Sequence, residues 1–292
     1  MADGIIKGGT SGNETIQGTA GNDFLYGNGG ADILIGGDGD DRLDAGQIYD
    51  AATNTYKNDL IGDTFDGGNG NDEFWGSFGN DIMNGGNGND AFHGGAGADI
   101  MNGGAGFNAY DGGDGIDTVV YNGARSSFGV AVGGDHVAHV TGNGISDTVL
   151  PNVERIVFND AGVALDINGN AGKMFRLYQA AFNRAPDQVG LGFWIDAADR
   201  GESWLGMAHG FTHSVEFDRL YGANANNDTF LTALYANALH RTPDADGYKF
   251  WIDALNRGVS RESVLIDFSE SPENQAQVIG SIEHGINYVP WA

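Results

Sequence analysis

Apolar side chains punctuate the first 120 positions of this chain at a fixed interval. Ile16, Leu25, Leu34 and Leu43 stand nine apart, and after a gap the beat resumes at Phe65, Phe74, Met83, Phe92, Met101, Tyr110 and Val119. A helix returns an apolar residue every three or four positions and a strand every second. One per nine fits neither and marks a short repeated unit. From Asp117 the rhythm changes: "VAV" (130–132), "HVAHV" (136–140) and "RIVF" (155–158) alternate and predict ordinary strands between turn signals. Beyond residue 170 the apolar positions take helical spacing. The pattern predicts a multidomain chain: a repeat region over 1–120, a β segment over 121–170 and an all-α region over 171–292.

Set out in nines from Gly9, the chain reads GTSGNETIQ, GTAGNDFLY, GNGGADILI and GGDGDDRLD. A thirteen-residue interruption, AGQIYDAATNTYK (45–57), follows. The frame resumes as NDLIGDTFD, GGNGNDEFW, GSFGNDIMN, GGNGNDAFH, GGAGADIMN, GGAGFNAYD and GGDGIDTVV. Position eight is the apolar beat. Position six is acidic in ten of the eleven units: Glu14, Asp23, Asp32, Asp41, Asp63, Asp72, Asp81, Asp90, Asp99 and Asp117. Asn108 is the exception and still offers an oxygen.

Composition sharpens this picture. The formal net charge is −26, and residues 1–120 alone hold 20 acids against 3 bases. Such a surface argues against nucleic acid and anionic membranes, which need Lys/Arg patches, and favours cations. There is no cysteine, so a disulfide scaffold, a zinc–cysteine site and a Cys nucleophile are excluded. No run approaches the 18 apolar residues of a membrane-spanning helix. The opening "MADGIIKGGTSGNETIQG" has neither a basic n-region nor an apolar h-region, so no cleaved secretory signal is expected there.

The repeated G-G-x-G-x-D-x-U-x unit resembles the nonapeptide of the repeats-in-toxin (hemolysin-type) proteins. That resemblance implies a calcium-binding parallel β-roll. The last three residues of each unit form a very short strand with only position eight inward. The other six form a glycine-permitted turn. Two units make one coil, so each unit stacks on the next but one, and position-six carboxylates of stacked turns face each other. Like charges so placed repel by about 1 kcal/mol per close pair even in water. Ca²⁺, which accepts six to eight oxygens, reverses the sign. The expected ion sites lie between Glu14 and Asp32, Asp23 and Asp41, Asp63 and Asp81, Asp72 and Asp90, Asp81 and Asp99, Asp90 and Asn108, and Asp99 and Asp117. Turn backbone from Gly67, Gly70, Gly85, Gly88, Gly94, Gly97, Gly103 and Gly106 contributes. The Asn108 site is expected to be weaker. Pairs across the interruption, Asp32–Asp63 and Asp41–Asp72, follow only if the register survives it. The resemblance also implies type I secretion with folding outside the cell on calcium.

Residues 121–170 look like the segment that closes such rolls, since a repeat stack needs a cap. His136 and His139 fall on opposite faces of a strand, which disfavours a metal there. "DINGNAG" (166–172) has the D-x-N-x-N start of an EF-hand loop but lacks its Gly and Glu, so a turn before a helix is expected. The last third repeats itself at an offset of 57 residues, about 177–217 against 234–274. Arg184 matches Arg241, Pro186 Pro243, Asp187 Asp244 and Gly190 Gly247, and "FWIDA" recurs. Asp187 and Asp244 sit where helix N-caps belong. The R-x-P-D-x-x-G-x-x-F-W pattern resembles a bacterial domain of unknown function often attached to calcium rolls and, more distantly, the phycobilisome linker fold. Phe193, Trp194, Phe250 and Trp251 are expected in the core, and Arg184 and Arg241 in pairs with helix-start acids.

HExxH, GxSxG and phosphate-loop motifs are missing; "HGFTH" (209–213) lacks the Glu of the first. The expectation is a non-enzymatic, extracellular, calcium-dependent structural or interaction protein of a bacterial surface or matrix. Its partner is a surface or matrix component, polysaccharide, or its own copies. The rival readings are a glycan-binding module using Tyr248, Tyr288 and Trp291, or a polysaccharide-modifying enzyme whose repeats serve secretion and folding.

Overall fold

The computed structural model describes residues 3–50 and 54–291. Its contacts divide the chain into two compact units, one ending at Leu165 and the other starting at Asp166.

In the first unit consecutive nonapeptides alternate between two parallel sheets. One sheet runs in the order Ile6–Gly8, Phe24–Tyr26, Arg42–Asp44, Glu73–Trp75, Ala91–Ala96 and Ala109–Asp114. The other runs Thr15–Gln17, Ile33–Asp38, Thr64–Asn69, Ile82–Asn87, Ile100–Ala105 and Thr118–Val120. Each unit pairs with the next but one, so Phe92 lies between Phe74 and Tyr110, and Met83 between Phe65 and Met101. The interruption leaves this register intact. Leu34 pairs with Phe65 and Leu43 with Phe74, while Ile48–Asp50 and Thr55–Lys57 form a separate antiparallel hairpin. Residues 51–53 of the interruption lie outside the described residues. Strands in the later coils are longer than the expected three residues. Ile82–Asn87, for example, continues through the G-G of the following unit, because those glycines can stay in the ladder.

The core is the stack of position-eight side chains. All eleven, from Ile16 to Val119, are at most 2% exposed. Their strand neighbours Ile33, Ile82 and Ile100 are 44–51% exposed, as period-two alternation requires. Phe74, Phe92 and Tyr110 stack ring on ring at 4.7 and 5.0 Å. Each buried apolar side chain contributes roughly 1.5–3 kcal/mol, so a thin column of them leaves the charged turns to decide stability.

The stack ends in antiparallel strands. Ile145–Val149 adds to the first sheet beside Ala109–Asp114 and turns back through Ala138–Gly142 to Gly129–Val132. Arg155–Val157 adds to the second and pairs with Gly162–Ala164. Tyr121, Phe128 and Phe158 pack together over this end.

The second unit has eight helices among its described residues: α1 (Asn170–Phe182), α2 (Gln188–Asp199), α3 (Trp204–Thr212), α4 (Val215–Tyr221), α5 (Asn227–Leu239), α6 (Ala245–Asn256), α7 (Arg261–Ser269) and α8 (Pro272–Ile282). α1–α4 recur as α5–α8 with every start 57 residues on, so the duplication is wider than the matched stretches of sequence. Both copies use the same devices. Asp187 and Asp244 accept the Gly190 and Gly247 amides at the starts of α2 and α6. Added Cβ atoms on those glycines would lie 2.6 Å from the Tyr178 and Tyr235 hydroxyls. Arg184 grips Glu216 through two hydrogen bonds of 2.7 and 2.9 Å, and Arg241 grips Glu273 at 2.7 and 3.0 Å. α1 and α7 are joined by Arg176, 4% exposed, which donates to both oxygens of Glu270 at 2.8 and 2.7 Å. After α8, the Val289 amide donates to the Gln188 carbonyl.

Two expectations for aromatic residues change. Phe250 is 61% exposed, not core, and Tyr288 is 5% exposed, which removes it from any exposed platform. The Tyr248 hydroxyl is held by Asp228, whereas Trp291 is exposed and packs its edge on Phe193. Asp166 of "DINGNAG" accepts the Ala171 amide at the start of α1, an ordinary turn before a helix.

Candidate metal centre

Every position-six side chain after Glu14 is held by the coil before it. Asp41 Oδ1 accepts the Asp23 amide, Asp81 Oδ1 the Asp63 amide, Asp90 Oδ1 the Asp72 amide and Asp99 Oδ1 the Asp81 amide, all at 2.6–2.9 Å. The two pairs that span the interruption obey the same rule: Asp32 donates to Asp63, and Asp41 to Asp72. The carboxylates therefore do not simply oppose one another. Each is clamped to a backbone amide by one oxygen and points the other along its own loop.

That second oxygen is what matters chemically. Oδ2 of Asp32, Asp41, Asp63, Asp72, Asp90, Asp99 and Asp117 is buried and has no hydrogen-bond partner. Buried carboxylate oxygens without partners are costly. All but Asp63, whose unit starts with Asn58, face a carbonyl of the following coil across the bare face of a position-one glycine. A Cβ on Gly67 would lie 2.3 Å from Asp72 Oδ2 and 2.8 Å from the Gly85 carbonyl oxygen. The same pair of oxygens flanks Gly36, Gly85 and Gly94. At the last coil Gly112 is flanked by Asp117 Oδ2 and the Asn152 carbonyl of the cap. Such cradles, whose polar lining is carboxylate and carbonyl oxygen, suit a hard cation.

The residue at position two divides the ladder. Where it is Thr or Ser its amide turns to the carboxylate: Thr10 to Glu14, Thr19 to Asp23, Ser77 to Asp81. Where it is Gly, or Asn28, it takes positive φ (76° to 118°), and the free oxygen of Asp32, Asp41, Asp72, Asp90, Asp99 and Asp117 stays orphaned. Glu14, at the open end of the stack, is also bonded by the Thr10 hydroxyl, which lowers its pKa.

Asn108 departs from expectation. Its oxygen is taken by the Asp90 amide at 2.9 Å, and the atom left buried without a partner is Nδ2. This loop presents a donor where the others present an acceptor. Hydrogen bonds take over here: the Tyr110 and Tyr121 hydroxyls both donate to Asp147 Oδ2, and Asp147 Oδ1 accepts the Asn108 amide. Burial pushes both phenols well above their ordinary pKa.

Three ladder members escaped sequence reasoning. Asp147 and Glu154 continue the column into the cap, Glu154 accepting the Asp117 amide. They lie outside the nine-residue frame and carry no signal in it. Asp59, 1% exposed, accepts the Gly30 and Ile61 amides, and its charge raises the pKa values of Asp32, Asp63 and Asp81. A carboxylate at position two, unlike any other unit, was the signal available.

Burial, the largest cause throughout, and then neighbouring carboxylates push the ladder upward. Asp63, Asp72 and Asp99 reach about 7, and Asp41, Asp81, Asp90 and Asp117 about 6. Backbone amides pull the other way without winning.

Two stacked columns of orphaned carboxylate oxygens on a parallel roll define a cation-dependent repeat protein. The family comparisons agree: residues 8–43, 62–92 and 84–119 match the RTX calcium-binding nonapeptide repeat, and residues 208–278 match a domain of unknown function, DUF4214. Residues 8–43 and 62–119 are thus RTX calcium-binding nonapeptide repeats, followed in the same chain by a domain of unknown function. RTX repeats bind calcium and mark proteins exported by type I secretion. No curated protein matches the chain, and no helix among the described residues is long and apolar enough to cross a membrane.

Proposed function

We propose that this protein is a calcium-dependent structural or interaction component of the bacterial surface or extracellular matrix. Its roll folds on Ca²⁺ after export, and its helical unit binds a partner or further copies. One observation carries the reading: seven buried Oδ2 atoms lack partners, and most of them face a carbonyl of the next coil. The residues that would hold ions are Asp23, Asp32, Asp41, Asp63, Asp72, Asp81, Asp90, Asp99 and Asp117, with glycine carbonyls such as those of Gly67, Gly85, Gly94 and Gly103. Calcium supplies the positive charge and the six to eight oxygen positions that relieve these atoms. The chain keeps each carboxylate aimed through its Oδ1–amide bond and keeps water out with the position-eight stack. Asn108, with its amide nitrogen inward, contributes no such oxygen.

The helical unit is proposed to work by contact and not by turnover. The residues shared by its two copies support this, because Arg184/Arg241, Asp187/Asp244, Gly190/Gly247 and Glu216/Glu273 are all engaged in caps and ion pairs within the unit. Size-exclusion chromatography with light scattering, in EGTA and then in millimolar Ca²⁺, tests the whole reading. The expected result is an expanded chain in EGTA and a compact one in Ca²⁺, with concentration-dependent oligomers if copies assemble. A hydrodynamic radius indifferent to calcium would refute it.

A further inference from the structure

The helical unit gathers a second set of metal-ligating side chains, of a different chemistry. His209 lies on α3, His213 caps its C-terminal end, and Glu262 sits in the first turn of α7. One ligand atom from each comes within 4.8 Å of the other two. His209 Nδ1 and His213 Nδ1 stand 3.5 and 3.8 Å from the same oxygen, Glu262 Oε1. In a tetrahedral site with metal–ligand bonds of about 2.0–2.2 Å, ligand atoms lie roughly 3.3–3.6 Å apart. The three are therefore already close to the edges of one tetrahedron.

The surroundings favour the same use. Glu262 is the anchored member, its side chain 15% exposed, while the two imidazoles are 63% and 60% exposed and pack ring against ring at 3.7 Å. His213 Nδ1 also lies 3.0 Å from the His209 carbonyl oxygen and from the Thr212 hydroxyl, contacts that an ion at this atom would replace. The Thr212 hydroxyl donates to Glu262 Oε1 at 2.9 Å, the kind of outer contact that orients a ligating carboxylate. A cleft of about 450 Å³, lined in part by His213 and Glu262, lies alongside. The internal duplication acts as a control. At an offset of 57 the counterparts of His209, His213 and Glu262 are Ile266, Glu270 and Leu205, so the set is not part of the packing that the two copies share. Thr212 and Glu262 alone satisfy a plain inter-helix contact, and the two imidazoles converge on the same carboxylate oxygen in addition to it.

We propose that His209, His213 and Glu262 form a site for one borderline divalent transition ion of the zinc class. The protein provides three ligands, a fourth position opens to the cleft for water or an outside donor, and the ion staples the first helical repeat to the second. Imidazole ligands separate this site from the all-oxygen calcium ladder, so it should fill in the presence of saturating Ca²⁺.

The test uses the full chain in millimolar CaCl₂, titrated with Zn²⁺ against a chromophoric chelator and, in parallel, with Co²⁺ followed by visible absorption. One Zn²⁺ per chain is expected, with Co²⁺ bands of a four-coordinate N/O site. The double variant H209A/H213A should lose that equivalent and the bands. E262Q should weaken binding at least about tenfold, and T212V, which touches no ion, by about tenfold. His284→Ala, another exposed histidine, should change nothing. Far-UV circular dichroism of each variant establishes that it is folded. Equal Zn²⁺ uptake by wild type and H209A/H213A would assign the ion to the acidic surface and overturn the proposal. So would the absence of saturable uptake below about 100 μM.

Discussion

Asp81 and Asp99 occupy the same place in successive coils of one column, yet their free oxygens differ. Asp81 Oδ2 accepts the Ser77 amide at 2.8 Å, whereas Asp99 Oδ2 is orphaned. Asp99→Asn should therefore shift the calcium midpoint for folding more than Asp81→Asn, by roughly 1–2 kcal/mol of apparent folding free energy, the scale of one buried unsatisfied acceptor. Calcium titrations followed by circular dichroism would compare them directly, and equal shifts would contradict the orphan argument. Asn108→Asp turns the buried donor into an acceptor where the Asp90 amide already holds the other oxygen. Equilibrium dialysis should find about one more bound Ca²⁺ per chain than in the wild type. The spacing of the acids was plain in the sequence, but the distinction between satisfied and orphaned oxygens was not. Except at Asp63, where position two is Asp59, it follows from whether position two holds Thr/Ser or a residue at positive φ, and that is a backbone choice.

Among the elements, the roll's turns tolerate least. Gly88 has φ 140°, and a Cβ there would meet the Gly70 carbonyl oxygen at 1.7 Å. Gly88→Ala should cost at least about 2 kcal/mol and raise the calcium needed for folding. Gly134→Ala, with nothing within 4 Å of the added Cβ, should leave calcium-induced folding unchanged; similar losses from both would mean that stacking does not set the cost. In the helical unit Glu270→Gln leaves the Arg176 guanidinium buried without its counter-charge. Urea unfolding followed at 222 nm should lose about 2–4 kcal/mol, with calcium stoichiometry unaltered. The starts of α2 and α6 at Asp187 and Asp244 and the duplication were readable from caps and from the offset of 57. The Arg176–Glu270 pair was not, because its members are 94 residues apart and neither has a counterpart of its own kind at that offset.

For the molecule as a whole, pH and calcium act on one balance. Asp41, Asp63, Asp72, Asp81, Asp90, Asp99 and Asp117 stand at about 6 to 7 in the fold, against about 3.9 for Asp in an unfolded chain. A raised acid binds its proton more tightly in the folded state. Its stabilisation is complete below about pH 4 and is lost as pH rises through 6 to 7. In EGTA the roll should be more populated at pH 5 than at pH 7.5 by circular dichroism, and a metal-free chain that gained roll structure with rising pH would show this balance to be wrong. Ions must displace those protons, so apparent calcium affinity should fall as pH drops from 8 to 6, with protons released on binding.

The amino-acid sequence alone determined the repeat unit, its inward apolar position, the acidic ladder, the duplicated helical module and the chemistry of a hard cation. All of these are local and periodic: a nine-residue beat and a 57-residue offset are legible without knowing what touches what. Tertiary structure decided whether the register would cross the thirteen-residue interruption, which it does by extruding a hairpin. It also brought Asp59, Asp147 and Glu154 into the column, turned the nitrogen of Asn108 inward, and set Glu262 beside His209 and His213. The physical reason is common to all of these. They depend on which side chains share a small volume after the chain has folded, and residues 30 to 50 positions apart meet through packing that no local pattern records.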